Sequence, residues 1–330
     1  MGFFVSSILK QMAATRCLLV TVVLSSMLLP PPCNAQLSVS FYNKTCPSVF
    51  DVVKSTVRSA INREKRIGAS ILRLFFHDCF VAGCDAGVLL DDDPPRIDSE
   101  KNARPNAKSL RGFELIDMIK SAVDNTCAGP VVSCADVLAI AARDSVVELG
   151  GPSWSVPLGR RDARTANKAA ADNLPSPFAD LKNITKSFAD KGFTAKDMVA
   201  LSGAHSIGMA RCSLFREHLY NGTNLETQVA SDRKSNCPKS GEDDKMSSMD
   251  HQTPNRFGNN YYQALVQRRG LLHSDQELFN GGPVDDIVTT YSKDSDAFYA
   301  DFASAMVKMS NMNPLTGSKG EIRKGCKKLN

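Results

Sequence analysis

The segment that decides the fold is Arg73-Leu74-Phe75-Phe76-His77-Asp78-Cys79-Phe80. If residues 71–77 are helical, Arg73 and His77 stand four residues apart and project from one face. Apolar residues flank them, and polar groups in such a setting are costly to bury unless they are used. A titratable base beside a permanent cation suits a reaction in which an anion leaves. We therefore expect Arg73 and His77 to be catalytic.

The first 35 residues have the pattern of a secretory signal. Lys10 and Arg16 precede an apolar run over 17–29, which is followed by prolines and small residues. The alternative is an N-terminal anchor, but the apolar run is short for a membrane span. We expect removal of 1–35 and a single domain over 36–330, with no membrane association.

Cysteine and charge content fit a secreted protein. Ten cysteines become eight when Cys17 and Cys33 leave with the signal, and an even number favours four disulfides over metal ligands. Sequons at Asn43, Asn183 and Asn221 are candidate N-glycosylation sites. Loss of the signal lowers the formal charge from +5 to +3, and no basic run interleaves with aromatic residues. Nucleic acid is therefore not an expected partner.

Hydrophobic residues recur mostly with the period of an α-helix, so we predict a mostly α fold in one compact unit. The predicted helices span 49–62, 69–76, 112–126, 134–148, 181–191, 195–202, 259–268 and 296–310. Short strands are predicted near 152–158 and 271–273. The polar connections over 91–108 and 221–254 are too long for plain turns, and we expect them to contain residues that bind a ligand.

Two of the five histidines stand in apolar helical patterns, His77 and His205. Either one alone would more often be an ordinary buried or surface histidine. Together, and with Arg73 one turn from His77, they favour a functional site. Neutral imidazole is a common axial ligand of haem iron, and the opposite face of a haem needs acid–base chemistry.

The chain resembles the secreted plant haem peroxidases, class III of the plant-type superfamily. The matching segments follow the family's order over almost all of 36–326. They are Phe41-Tyr42 with Cys46-Pro47, 73–84, Gly112-Phe113, 132–136, 157–162, Asn173-Leu174-Pro175, 201–208 and 270–278. The resemblance implies two helical lobes around one non-covalent haem b, with little β structure. It also implies reduction of hydrogen peroxide to water and one-electron oxidation of phenolic donors.

The resemblance assigns roles to residues on both faces of the haem. On the peroxide face, His77 would move a proton, Arg73 would stabilise developing charge, and Asn106 would orient the imidazole. On the other face, His205 would bind the iron. Asp275 would accept the other N–H of His205 and favour high-valent iron.

Further matches concern the donor site and the scaffold. Pro175 resembles a proline at the aromatic-donor site, although Leu-Pro-Ser-Pro would be an ordinary loop in any protein. Asp136 and Arg160 match a buried ion pair with a structural role. The sequence alone leaves the disulfide pairing open. The pairs that the resemblance implies are Cys46–Cys127, Cys79–Cys84, Cys134–Cys326 and Cys212–Cys237.

The resemblance also implies one calcium ion on each side of the haem. The expected distal ligands are the carboxylates of Asp78 and Asp85, the carbonyls of Val81 and Gly83, and Glu100 through water. Gly87 stands where a hydroxyl ligand is normal. A water molecule can take the place of that hydroxyl, so we expect the distal site to persist.

The proximal calcium site departs further from the family. Ser206, Asp250 and Thr253 match its ligands, and Arg256 offers a carbonyl. Gly258 stands where the family has an aspartate. Because the number of charged ligands strongly tunes calcium affinity, we expect this second ion to bind more weakly.

The sequence suggests three candidate functions. The first is the peroxidase, with hydrogen peroxide and small phenols as partners, and cell-wall polymers in addition. The second is a non-enzymatic haem- or wall-binding protein, which should have lost Arg73, His77 or His205; none is lost. The third is a hydrolase that uses His77 with Asp78, but it needs a nucleophile in a motif such as Gly-Xaa-Ser-Xaa-Gly, which we do not find.

The expected compartment is extracellular. Intracellular relatives in the superfamily lack this disulfide set and signal. The sequence stops four residues after Cys326, without the C-terminal extension associated with vacuolar delivery. We therefore expect a monomer in the apoplast or cell wall. The physiological donor is open, since lignin precursors, other wall phenols and auxin all suit one haem edge.

Overall fold

The computed structural model describes residues 37–330. The predicted signal over 1–35, with Cys17 and Cys33, lies outside the described residues, and its removal stays a prediction. Among the helices of the described part, none combines the length and the apolar character needed to cross a membrane.

Helices form most of the regular structure, which confirms the predicted mostly α class. They are α1 (Val49–Arg63), α2 (Arg66–Cys79), α3 (Phe113–Thr126), α4 (Cys134–Glu148), α5 (Lys168–Ala171), α6 (Leu181–Ala189), α7 (Ala195–Ser202), α8 (Arg216–Asn221), α9 (Thr227–Asn236), α10 (Asn260–Val266), α11 (His273–Gln276), α12 (Asp285–Lys293) and α13 (Ser295–Ser310). Every predicted helix is present, with ends that differ by at most three residues. Helices α5, α8, α9, α11 and α12 were not predicted.

The predicted strands are wrong. Residues 152–158 make only one bridge, between Leu158 and Ser38, because no neighbouring strand runs beside them in the described residues. Residues 271–273 lead into α11, where the Asp275 carboxylate accepts the Leu272 N–H at 3.3 Å and closes the first turn. The observed sheet is instead an antiparallel pair, β1 (Met209–Arg211) and β2 (Met246–Ser248), on either side of a long connection.

Helix α4 lies at the centre of the main hydrophobic core. Its sequence is rich in alanine, and most of its residues are buried on all sides, as expected of a helix that is apolar all round. It packs most extensively against α2 and α1. A smaller core, formed around Phe215, Leu219 and Leu272, lies under β1, α8 and α9. The main core therefore holds α2, and with it Arg73 and His77, in a fixed position.

Side-chain caps and disulfides stabilise these elements. Ser133 caps α4 by accepting the Asp136 N–H, and Thr194 and Asp197 cap α7 reciprocally. The disulfides join Cys46 to Cys127, Cys79 to Cys84, Cys134 to Cys326 and Cys212 to Cys237, which confirms the implied pairing. The Asp136–Arg160 ion pair is also present, at 2.8 Å and fully buried.

Candidate active site

Helix α2 presents Arg73 and His77 on one face, one turn apart. Ile71, Leu74 and Phe75 are buried in the core on its other side, which fixes the rotation of the helix. His77 is only 6% exposed. Packing of the apolar face of this helix therefore holds the predicted polar pair in place.

Asn106 fixes the protonation pattern of His77. The amide nitrogen of Asn106 donates to the Glu100 carbonyl at 2.8 Å, so its oxygen faces His77 Nδ1 at 2.6 Å. That oxygen must accept, so Nδ1 carries the proton and Nε2 is left as an acceptor. Burial, followed by the charge of Arg73, lowers the pKa of His77 well below its usual range. His77 is thus a neutral base at neutral pH.

Arg73 is anchored beside it. Its Nη2 donates to the Pro105 carbonyl at 2.9 Å and to Ser109 Oγ at 3.1 Å. Burial, followed by the charges of Arg211 and Arg66, lowers the pKa of Arg73 to about 10, so the group remains a cation at neutral pH. Its position is therefore set by the loop that also carries Asn106.

Several arginines lie near Arg73 and the start of α2. Burial and then the charges of Arg111 and Arg211 lower the pKa of Arg66. Arg111 pairs with Glu64, and Arg211 pairs with an exposed aspartate. Because each of these charges disfavours the others, an anionic ligand beside them would be favoured. The two carboxylates of a haem would suit Arg66 and Arg211, so these residues fit that cofactor.

His205 lies in the turn Gly203–Ser206, directly after α7. Gly203 lets this turn pass close to the core, since a Cβ there would collide with Phe298 and Tyr262. His205 Nδ1 lies 2.7 Å from Asp275 Oδ1, while the imidazole side chain is 42% exposed. Nδ1 donates to the carboxylate, and Nε2 remains free for a metal. This donor set fits the axial ligand of a haem.

The two histidine-bearing segments adjoin each other. A Cβ on Gly208 would lie 3.1 Å from the Ala69 Cβ of α2. Arg211 donates to the Lys108 carbonyl in the loop that follows Asn106. The segment after His205 therefore borders the helix and loop that carry Arg73, His77 and Asn106.

Some contacts in the site were not predicted from sequence. Tyr261 Oη donates to Asp275 Oδ1, the oxygen that also accepts from His205. Ser109 and the carbonyl of Glu100 support Arg73 and Asn106. No local pattern marks a tyrosine or serine for such a role, since each contact joins separate parts of the chain.

Pro175 lies in the loop between α5 and α6. It is half-buried, and the nearby Phe178 is 49% exposed. The loop is tied to α11, because Ser274 N–H donates to the Pro177 carbonyl at 3.1 Å. An exposed aromatic ring is thereby held near the start of the helix that carries Asp275.

Three buried carboxylates lie near the end of α2: Asp78, Asp85 and Glu100. Asp78 Oδ1 and Glu100 Oε2 have no hydrogen-bond partner. Burial is the main cause that raises all three pKa values: that of Asp78 well above its usual range, that of Asp85 to about 6 and that of Glu100 to about 7. Unpaired buried carboxylate oxygens fit a hard cation such as calcium.

Carbonyl oxygens would have to complete this cation site. Within residues 37–330, no three His, Cys, Asp or Glu side chains are close enough to hold a metal by themselves. The Val81 carbonyl accepts Lys191 Nζ at 2.9 Å. Gly83 has a φ of +123°, and a Cβ there would press on the backbone of Asn313. Gly87 has no hydroxyl, and a Cβ on it would lie 2.9 Å from Glu100 Oε1.

The predicted proximal calcium residues form a different environment. Asp250 accepts the N–H groups of Gln252 and Thr253, and the Thr253 hydroxyl at 2.5 Å. Ser206 Oγ accepts the Gly258 N–H at 3.4 Å. A Cβ on Gly258 would meet only Tyr299 Oη, at 3.7 Å. The carboxylate is therefore satisfied within its own turn, and the space beside Gly258 is open.

The three sequons are at the surface. Asn43 lies in a turn before α1, Asn183 in the first turn of α6, and Asn221 at the end of α8. All three asparagines are exposed. Arg256, the remaining predicted calcium residue, is also exposed.

Comparison with known proteins identifies the family. The family model described as peroxidase matches residues 53–294. The chain is 55% identical to Peroxidase 4 of Vitis vinifera over 300 residues, 90% of this chain and 93% of that protein. It is 52% identical to the lignin-forming anionic peroxidase of Nicotiana sylvestris, over 90% of this chain and 92% of that protein. It is 51% identical to Peroxidase 67 of Arabidopsis thaliana, over 94% and 99% respectively. With this fold and this pair of histidines, the chain belongs to class III of the plant haem peroxidases.

Proposed function

We propose that this peroxidase reduces hydrogen peroxide at a single non-covalent haem b between α2 and His205, and oxidises small phenols one electron at a time. The observation that supports it best is the state of the two histidines. His77 and His205 each have Nδ1 committed to a protein oxygen. Each therefore has Nε2 free, one as a base and one as a metal ligand.

His205 Nε2 would bind the iron, and Arg66 and Arg211 would pair with the haem carboxylates. When bound, the haem would supply the iron that holds peroxide and exchanges electrons with it. Asp275 accepts the Nδ1–H of His205 at 2.7 Å and so increases the negative charge on the imidazole. The protein thereby favours the more oxidised states of the metal.

His77 would move the proton. Its neutral Nε2 takes a proton from one oxygen of hydrogen peroxide and returns it to the other oxygen, which leaves as water. Asn106 holds Nδ1–H and prevents the ring from turning. Arg73, fixed by Pro105 and Ser109, stabilises the negative charge that develops on the leaving oxygen.

Small phenols would donate electrons at an exposed haem edge near Pro175. The neighbouring Phe178 offers an exposed ring on which an aromatic donor can pack. One relative is named a lignin-forming peroxidase, which supports wall phenols as donors. We therefore propose removal of hydrogen peroxide and oxidation of cell-wall phenols, including lignin precursors, with a part in the response to oxidative stress.

Two calcium ions would support the site with unequal affinity. The distal ion would bind tightly at Asp78 and Asp85, supported by carbonyl oxygens and by Glu100 through water, because unpaired buried oxygens are present there. The proximal ion would bind more weakly, because Gly258 supplies no carboxylate. The Asn106–Glu100 hydrogen bond connects the distal site to His77.

Secretion fits the family, whose class III members are extracellular, and the four disulfides. We propose that 1–35 is removed and that 36–330 acts as a monomer in the apoplast or cell wall, glycosylated at one or more of Asn43, Asn183 and Asn221. N-terminal sequencing of the secreted protein tests the cleavage, and an N-terminus other than Gln36 would correct it.

One experiment separates the three candidate functions. The purified protein should show a haem absorption band and should turn over guaiacol with hydrogen peroxide. Haem binding without turnover would indicate a non-enzymatic haem protein, and a protein without haem would reopen the hydrolase hypothesis. A side-by-side comparison of lignin precursors with other phenols, by kcat/KM, would then identify the preferred donor.

A further inference from the structure

Tyr261 touches the carboxylate that holds His205. It lies in the first turn of α10 and is only 3% exposed. Its hydroxyl donates to Asp275 Oδ1 at 3.0 Å. The same oxygen accepts His205 Nδ1–H at 2.7 Å. Two donors therefore share one acceptor atom behind the histidine.

Because Tyr261 and His205 donate to the same oxygen, Tyr261 reduces the negative charge that this oxygen presents to His205. A hydrogen bond to a carboxylate oxygen withdraws negative charge from it, and bonds to charged groups are among the stronger ones. Within residues 37–330, the second oxygen of Asp275 accepts only the Leu272 N–H, at 3.3 Å. Tyr261 is thus the only side chain besides His205 in the described residues that donates to Asp275.

Tyr261 stays a donor under working conditions. Burial, followed by the charge of Asp275, raises the pKa of its hydroxyl well above the usual range. Its ring lies at 84° to the His205 ring, with 6.3 Å between ring centroids. The contact between the two residues is therefore held through Asp275 and by edge-to-face packing.

We propose that Tyr261 is a positioning residue that limits the negative charge passed from Asp275 to His205, and so sets the reduction potential of the haem iron. The proposal rests on the role of His205 as the iron ligand. Without the hydroxyl, Asp275 Oδ1 would accept only from His205. It would then draw the Nδ1 proton more strongly, give the imidazole more negative charge and stabilise the ferric state.

The chain offers a matched control in the next residue. Tyr262 is also buried in α10, but its hydroxyl donates to the carbonyls of Val199 and Ala200, at 2.8 and 3.3 Å. Tyr262→Phe therefore removes a buried tyrosine hydroxyl from the same helix without touching Asp275. A purely structural effect of losing a hydroxyl should appear in both variants.

The test compares Tyr261→Phe and Tyr262→Phe holoenzymes by ferric/ferrous midpoint potential and by the iron–histidine stretching frequency of the ferrous protein. For Tyr261→Phe we expect a more negative potential and a higher stretching frequency, and for Tyr262→Phe neither change. Unchanged values in Tyr261→Phe, a shift of the opposite sign, or equal shifts in both variants would overturn the proposal.

An Asp275→Asn variant separates this proposal from the function on which it rests. It should lower the stretching frequency and raise the potential, because an amide oxygen draws the Nδ1 proton less strongly. If Asp275→Asn changes neither quantity, the ligand role of His205 itself is wrong. If it changes both while Tyr261→Phe changes neither, only the role of Tyr261 is wrong.

Discussion

The surroundings of His77 have opposing effects on its pKa. Burial and Arg73 keep the imidazole neutral, whereas the hydrogen bond to Asn106 raises its pKa. Asn106 also determines which nitrogen is free. A base that is neutral and correctly oriented at neutral pH does not have to lose a proton before it reacts.

Replacement of His77 by alanine should slow the reaction with hydrogen peroxide by about 10²–10⁴-fold, the usual contribution of general acid–base catalysis. Haem should remain bound, because His205 is intact. Stopped-flow absorption in the Soret region measures the rate. Added imidazole should restore part of it, and an unchanged rate in His77→Ala would refute the role of His77.

Replacing Gly258 by aspartate would restore the carboxylate that the family resemblance places at the proximal calcium site. Its Cβ position is open, so Gly258→Asp should add a calcium carboxylate without a clash. Calcium titration of the chelated protein should show one tight and one weaker site in the original chain, and two tight sites in the variant. Two equally tight sites in the original chain would contradict the hypothesis that the proximal calcium ion binds more weakly.

Gly325→Asp is the control for that titration. It adds the same charge at a position where a Cβ would meet nothing within 4 Å and which is not one of the predicted calcium residues. It should leave both affinities unchanged. Gly87 offers no comparable test, because a Cβ there would press on both Asp85 and Glu100, at 3.0 and 2.9 Å.

Two buried carboxylates that follow α2 should make the stability of the calcium-free protein depend on pH. Asp85 and Glu100 have pKa values of about 6 and about 7 in the fold, above values of about 4 in an unfolded chain. Between these values the folded state binds more protons than the unfolded state. The free energy of unfolding should therefore fall as pH rises from about 4 to about 7.

Urea unfolding of chelated protein at several pH values measures this slope. Glu100→Gln should flatten it, since the amide does not titrate, and saturating calcium should reduce it by replacing the bound protons. His77, with a lowered pKa, acts in the opposite direction below about pH 6.5, but equally in all samples. An equal slope in Glu100→Gln and the original chain would contradict the prediction.

How well the sequence predicted each element depended on whether its signal was local. The period of apolar residues was enough for α2 and α4, whose buried faces are regular. Helix α9 was missed because only Ala230 of it is buried, and α12 because it is short and its consecutive β-branched residues over 287–290 have low helix propensity. Strands β1 and β2 are three residues long and pair across a long connection, so neither shows an alternating pattern.

In the candidate site, too, residues with a local sequence signal were predicted and residues without one were not. Arg73 and His77 were predicted because they stand one helix turn apart, and His205 because it ends an apolar pattern. Asn106, Asp275 and the disulfide pairing required the family resemblance. Tyr261 was not found, because its contact with Asp275 depends on how α10 and α11 pack, which a single sequence does not encode locally.

At the scale of the whole described molecule, buried charges join the C-terminal segment to the middle of the chain. Asp136 pairs with Arg160, and Arg160 also donates to the Ser310 carbonyl at 2.6 Å. Asp162 accepts backbone N–H groups from Ala135 and from Arg323, each at 2.9 Å. The C-terminal segment is therefore part of the core that supports α4.

Loss of the Cys134–Cys326 bridge should accordingly affect the whole fold. Replacing both cysteines with alanine should lower the free energy of unfolding by about 2–5 kcal/mol, since the bridge restricts a long loop of the unfolded chain. Denaturant unfolding at fixed calcium concentration measures the change. Removal of Cys79–Cys84, which closes a much shorter loop, should cost less; an equal cost would contradict the loop-length argument.

The same bridge also sets the order of events during synthesis. Cys134 and its partner are 192 residues apart, and at about 5–20 residues per second the ribosome needs about 10–40 s to make that stretch. During that time Cys134 lacks its native partner, and Asp162 lacks the Arg323 N–H that it accepts in the folded protein. Cys79 and Cys84, by contrast, can join almost as soon as they emerge. The Cys134–Cys326 bridge should therefore close much later during synthesis than the Cys79–Cys84 bridge.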